Sequence, residues 1–270
     1  MSMQLNATFI SPLFHSICPS STLPNPPSTS DHCLQLLYFT LFFTVIDYAL
    51  KTPLFYKGSL LKDPGPRWFF IHALANAITC LWSLQDLLLV ASRPMCAMTS
   101  PLSSWVPSYA AGAVHMFHLV VYFFELRTED IVHHLLFGVL LSIMNFSWSW
   151  GQVTNQLLFF ITGLPGGITY ALLVMVKLGK LKALREKGWS ASLNTWLRAP
   201  GLVWFVAVVG SCLAHGWYFA PTWAVWLCIL LAFINGTYYG RQALENYVQK
   251  RTEKKDGPSM KSAINGFSSS

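Results

Sequence analysis

Between residues 34 and 239 the chain is a succession of apolar runs joined by short polar segments. The runs fall at about 34–50, 68–90, 106–125, 131–148, 153–176, 201–219 and 221–239. Each approaches or exceeds the roughly 18–20 residues an α-helix needs to cross a bilayer. Inside a membrane no water is available to satisfy a broken backbone, so such runs fold as helices. Charged residues make up 11% of the chain, against about a quarter in a soluble domain, too few to cover a water-facing surface. The sequence predicts an all-α membrane protein with seven transmembrane helices in one domain.

Charge placement orients the bundle. When the joints are assigned alternately to two sides, one of the 18 Lys and Arg residues, Arg93, falls on one side and 17 fall on the other. Basic residues stay cytosolic, so the N-terminus is expected in the lumen and the C-terminus in the cytosol. The net charge of +7 then follows topology and implies no nucleic acid. Residues 1–33 hold no Lys or Arg and lack the basic start and apolar core of a secretory signal. They read as a flexible lumenal arm carrying the glycosylation sequon Asn6-Ala7-Thr8. Residues 34–66 hold the first helix and a cytosolic loop, 67–248 the main domain, and 249–270 a basic, disordered cytosolic tail. Cys18 and Cys33 share the arm and could pair in an oxidising lumen. Cys80, Cys96, Cys212 and Cys228 read as small apolar thiols near or within spans.

Several apolar runs carry polar side chains at helical spacing. The second holds His72, Asn76, Thr79, Ser83 and Asp86; the third His115, His118, Tyr122 and Glu125; the fourth His134, Gly138, Ser142 and Asn145. The first offers Thr40, Thr44 and Asp47, and the seventh Asn235, Tyr238 and Gln242. Steps of three and four place each set on one helical face. Ionisable groups at membrane depth usually face an interior or a cavity, so these faces are expected to line a shared polar hollow. Gly163-Leu164-Pro165-Gly166-Gly167 should kink the fifth helix and let backbones approach closely.

The chemistry-bearing stretch runs from Arg127 to Gly138 and contains His133-His134. An imidazole beside a carboxylate can act as a general base, with Glu125 or Asp130 as the orienting acid. Neighbouring residues on a helix diverge by about 100°. His134, in register with the polar stripe, is therefore expected inward, and His133 against a neighbouring helix or the interface. The histidines also suggest the boxes of membrane di-iron oxygenases. However, those boxes carry about eight ligands, only five histidines lie in the relevant helices, and His115 reads as far from the cytosolic end. No metal and no cofactor is expected.

Tyr122-Phe123-Phe124-Glu125, followed by a short loop and His133-His134-Leu135-Leu136, resembles the centre of the TLC domain. That domain is shared by translocating-chain-associating membrane proteins and ceramide synthases. The final run Phe233-Ile234-Asn235-Gly236-Thr237-Tyr238-Tyr239 is similar to the domain's last helix, and Arg67-Trp68 through His72-Ala73 to its early arginine-led helix. The resemblance implies six helices forming a barrel around a lipid tunnel, here with one extra N-terminal helix. The paired aspartates that ceramide synthases carry after the histidines are absent. The chain thus looks more like TLC-domain proteins linked to lipid sensing. The expected function is to bind, sense or traffic a lipid in the endoplasmic reticulum or a related endomembrane. His72, Asn76, His118, Tyr122, Ser142 and Asn145 would line the tunnel, with His133, His134 and Glu125 at its cytosolic mouth. The expected partners are the bilayer and a bound lipid, with a homodimer allowed. One alternative is an acyltransferase that takes acyl-CoA as co-substrate. Another is a translocon-associated or cargo-receptor protein.

Overall fold

The computed structural model describes Cys18, residues 27–52 and residues 63–256; Asn6 and its sequon lie outside them. Among the described residues all regular structure is helical. The helices are α1 Thr29–Lys51, α2 Pro64–Ser92, α3 Val106–Val121, α4 Thr128–Ser147, α5 Val153–Lys177, α6 Ala183–Ala214 and α7 Thr222–Asp256. All but α3 are long and apolar enough to cross a membrane. At 1.5 Å per residue α3 measures about 24 Å, and the 3-10 turn Phe123–Glu125 extends it. Leu37, Tyr38, Val45, Leu81, Leu88, Val203, Trp226 and Phe233 stand exposed on the outside of the bundle. So much apolar surface suits hydrocarbon and not water. The protein is an integral membrane protein with transmembrane helices.

Several boundaries differ from those expected. The first helix begins at Thr29 and not at Leu34, because Ser28 and Asp31 form a reciprocal cap. The Ser28 hydroxyl accepts from the Asp31 amide (3.2 Å), and the Asp31 carboxylate accepts from the Ser28 amide (3.1 Å). Much of the expected loop 177–200 is instead the polar first half of α6. A search for apolar runs passes over such a segment. The last helix continues through residues 249–256, expected to be disordered. Pairs at helical spacing support that extension: Arg241 with Glu245 (2.6 Å) and Lys250 with Glu253 (2.8 Å).

Three helices contain a π-helical segment: His134–Leu140 in α4, Phe159–Gly163 in α5 and Asn194–Arg198 in α6. The last two end just before Pro165 and Pro200. A proline lacks the amide that closes the preceding turn and clashes with the carbonyl four residues back. A widened turn relieves both. Beyond the break, α5 lies tight against α2. A Cβ on Gly163 would sit 3.4 Å from the Cys80 Cα, and one on Gly166 would sit 2.7 Å from Asn76 Nδ2. Asn76 in turn accepts a hydrogen bond from Thr162 (2.5 Å).

The polar stripe of α2 does turn inward: His72, Asn76, Thr79, Ser83 and Asp86 are all buried. Two buried carboxylates pin the ends of the bundle. Asp47 on α1 accepts from Arg67 Nε (2.9 Å) and the Tyr122 hydroxyl (2.7 Å), and pairs with Lys51 (3.0 Å). At the opposite end Asp86 accepts from Asn155 Nδ2 (2.6 Å) and the Ser103 amide (3.1 Å). Cys18 forms a disulfide with Cys96 beside that end. Cys33, which the sequence allowed as a partner, is exposed and free on α1, and Cys96 is not the plain thiol it was read as. Spacing along the chain could not find this bond, because the joint 93–105 folds back over the bundle end.

The Asp47 contact predicts a non-additive pair. Arg67→Met should lower unfolding stability in detergent by about 3 kcal/mol, because it leaves a buried carboxylate short of a counter-charge. The Asp47→Asn/Arg67→Met double variant should recover at least half of that loss. Equal thermal shifts for the single and double variants would show that the ion pair does not tie α1 to α2.

Candidate functional site

Five imidazoles meet where α2, α3 and α4 approach one another. His72 comes from α2, His115 and His118 from α3, and His133 and His134 from α4. His115 Nδ1 lies 2.7 Å from His134 Nδ1. His118 stacks between Trp68 (ring centroids 4.1 Å apart) and His72 (4.4 Å), with His134 at 5.3 Å. His72 also stacks on Tyr170 of α5, with centroids 4.2 Å apart. His133 Nδ1 is 2.8 Å from the Tyr239 hydroxyl of α7. Gly138 makes room for the group: a Cβ there would lie 2.5 Å from the His115 Cβ.

The cluster borders a cavity of about 320 Å³ enclosed by α2 to α7. Its apolar lining includes Leu141, Met144, Val153, Leu157, Ile161, Phe205 and Cys228, with Ser108, Ser142, Asn145 and Thr154 among them. Further polar side chains come from three helices. From α6 come Glu186, Lys187, Ser190, Asn194 and Arg198, from α7 Asn235, Tyr239, Gln242 and Asn246, and from α4 His133. The α6 residues form a hydrogen-bonded ladder at steps of four. Ser190 donates to Glu186 Oε1 (2.8 Å), Asn194 to the Ser190 carbonyl (2.8 Å), and Arg198 Nη1 to Asn194 Oδ1 (2.8 Å). Lys187 pairs with Glu186 at 3.1 Å. A second cleft between α4 and α7 shares His133, Phe137, Asn235, Tyr239 and Gln242 with the cavity. It reaches outward past Glu129 and Asp130.

Four of the nine expected site residues line this cavity: His72, His133, Ser142 and Asn145. Asn145 donates to Ser108 (2.9 Å) and accepts from Thr154 (3.2 Å). Four others lie behind the wall. Asn76 binds Thr162, Tyr122 binds Asp47, and His134 and His118 are buried in the aromatic stack. Glu125 sits on the 3-10 turn, exposed, and lines neither the cavity nor the cleft. The carboxylates lining the cleft are Glu129 and Asp130, and Asp130 is held by Arg127 at 3.0 Å. The expected facing of the twin histidines is half met. His133 does reach a neighbouring helix, but it also lines the cavity, while His134 turns inward and is covered by other rings. Tyr238 is exposed, and the adjacent Tyr239 takes the cavity face.

The placement of His115 also needs correction. It lies against both α4 histidines, with ring centroids 5.4 and 5.0 Å away, because α3 ends at Val121 and not at Glu125. Nitrogens of His115, His133 and His134 all fall within 4.8 Å of one another, a set that could hold a metal ion. Two imidazoles on one zinc at 2.0–2.1 Å each stand roughly 3.3 Å apart. The 2.7 Å between His115 and His134 is hydrogen-bond geometry. The two Nδ1 atoms would have to separate before both could ligate the same ion.

Arg198, Tyr239 and the α6 ladder were missed from sequence. The signal was present in residues 186, 190, 194 and 198, but these lay in a segment set aside as loop. Comparisons with protein-family models, curated proteins and solved structures find no match to this chain.

The role of Gly138 can be tested against a glycine with free space. Gly138→Ala should lower the melting temperature in detergent by several degrees, because the added methyl collides with His115. Gly210→Ala, with nothing within 4 Å of its Cβ position, should raise stability by about 0.5–1 kcal/mol, because alanine favours the helix. A Gly138→Ala variant as stable as Gly210→Ala would remove the steric argument.

Proposed function

We propose that the protein binds a lipid in a TLC-like bundle of seven transmembrane helices and acts in lipid sensing or trafficking in an endomembrane. The observation that carries this reading is the cavity. It lies inside an integral membrane protein, is lined by both apolar and polar side chains, and adjoins a cleft between α4 and α7. Its volume is at the low end of the roughly 300–1,000 Å³ typical of small-molecule sites, enough for one aliphatic chain. A ligand with one greasy part and one polar part matches such a wall. The resemblance around His133-His134 supports the same class of ligand.

Acyl transfer fits less well. In that alternative His134 works as a base with Glu125 or Asp130 behind it. Among the described residues His134 pairs with His115, Glu125 is exposed, and Asp130 is engaged by Arg127. Binding without transfer needs none of these partners.

The Cys18–Cys96 bond supports the orientation drawn from charge. Disulfides persist in oxidising compartments, and the two cysteines belong to the arm and the joint that charge counting assigns to the lumen. The end of the cavity lined by Lys187 and Asn246 would then face the cytosol.

Two measurements test this reading. Mass spectrometry of lipid carried through mild detergent purification should find a single-chain amphiphile on the native protein. Ala111→Trp, which fills the cavity from α3, should abolish that retention while the variant still elutes as a folded species; equal retention would mean that the cavity is not the site. For orientation, a glycan should attach at Asn6, and a tag at Ser270 should be protease-accessible in sealed microsomes with the cytosolic face outward. A protected tag would reverse the proposed sidedness.

A further inference from the structure

We propose that Arg198 is the anion-binding group of the cavity. Its ligand is then a single-chain amphiphile with a negatively charged head, either a carboxylate or a phosphate monoester. The inference rests on the lipid-cavity reading above and adds the charge of the head.

Arg198 closes the π-helical segment of α6, where the polar ladder gives way to the apolar stretch that follows Gly201. It lines the cavity. One of its nitrogens donates to Asn194, while its buried Nε has no hydrogen-bond partner. Among the described residues no carboxylate forms an ion pair with it. The acids on this side of the bundle are already engaged: Glu186 by Lys187 and Ser190, and Asp130 by Arg127. Asn194, Tyr170, Tyr239 and His133 also line the cavity and are not anions at neutral pH, and the one carboxylate in the lining, Glu186, is paired with Lys187.

A guanidinium remains charged at every physiological pH. A full charge in a cavity walled by membrane helices is costly unless something pairs with it. Among the described residues none supplies such a partner, so the counter-charge is assigned to the ligand. The planar fork of arginine suits a carboxylate or a phosphate, each able to accept two parallel hydrogen bonds. Two turns beyond Arg198, Phe205 belongs to the apolar wall together with Leu157 and Ile161. A head on Arg198 therefore directs a chain along that wall. The same arginine disfavours an amine head, because like charges would meet in a space of low polarity.

The test uses the purified full-length protein and three ligands sharing one oleoyl chain: oleate, 1-oleoyl-lysophosphatidate and monoolein. At least one of the two anions should bind tenfold or more tightly than monoolein. Preference for oleate identifies the carboxylate head, and preference for lysophosphatidate the phosphate. Arg198→Gln should bring the preferred anion down to the monoolein level. Arg198→Lys, which keeps the charge and loses the fork, should fall between. If monoolein matches both anions on the unmodified protein, the anion site is refuted and the lipid reading stands. If none of the three binds, both fail. An anion preference that survives in Arg198→Gln removes the assignment from this residue. The comparison of heads is made on the native chain and so does not depend on any variant folding.

Discussion

A carboxylate, imidazole or guanidinium placed among hydrocarbon chains has to find its complement on another helix or in a bound ligand. In this protein that requirement sets which faces meet. Asp47 draws Arg67 and Tyr122 to α1, and Asp86 draws Asn155 and the Ser103 amide to α2. With both ends of α2 anchored, its buried stripe fixes which sides of α3 and α5 must face it. The outer faces have no such demand and carry leucine, valine and aromatic rings toward the lipid. The bundle is thus ordered from its polar contacts outward, opposite to a water-soluble core, where apolar contact leads.

Glycine and proline act on that order in two different ways. At Gly163, Gly166 and Gly138 the missing side chain is occupied by a neighbour: the Cys80 backbone, Asn76 and His115 respectively. Close approach of helices there depends on having no Cβ. At Pro165 and Pro200 the helix widens into a π turn just before the ring, which rotates the residues upstream relative to those downstream. The turn ending at Arg198 lies where the α6 ladder meets its apolar half. The π segment of α4 has no proline behind it and begins at His134. Widened turns of this kind often sit at functional positions, and this one underlies the histidine cluster.

The cavity results from helices that cannot close fully. The imidazole stack and the Asn76–Thr162 contact fill the space between α2 and its neighbours, while α4, α6 and α7 stand off and leave a hollow lined by both apolar and polar side chains. The ladder from Glu186 to Arg198 satisfies most of its own polar atoms and ends on a cation that, among the described residues, forms no ion pair. A hollow with one unbalanced charge and a greasy wall narrows the class of occupant more than the histidine pair does. Among the histidines, His115 and His134 bond each other and His133 bonds Tyr239, while both His118 nitrogens are buried in the ring stack without a hydrogen-bond partner.

Period and composition carried much of the architecture. Apolar runs gave the helices, because backbone in hydrocarbon has no other way to bond itself. Steps of three and four gave the buried face of α2, because polar groups at depth must turn inward. What these signals could not give was distance between segments remote in the chain. The Cys18–Cys96 bond depends on how a joint folds over the bundle. The neighbourhood of His115 and His134 depends on α3 ending at Val121, a boundary set by local capping and a 3-10 turn. The role of Arg198 depends on a polar half-helix that a hydropathy reading treats as loop. The chain by itself determined that there would be helices and which sides of several would turn inward. Only their packing decided which inward groups would meet, because partner choice is settled by which surfaces fit at a few ångströms, and no linear pattern encodes that.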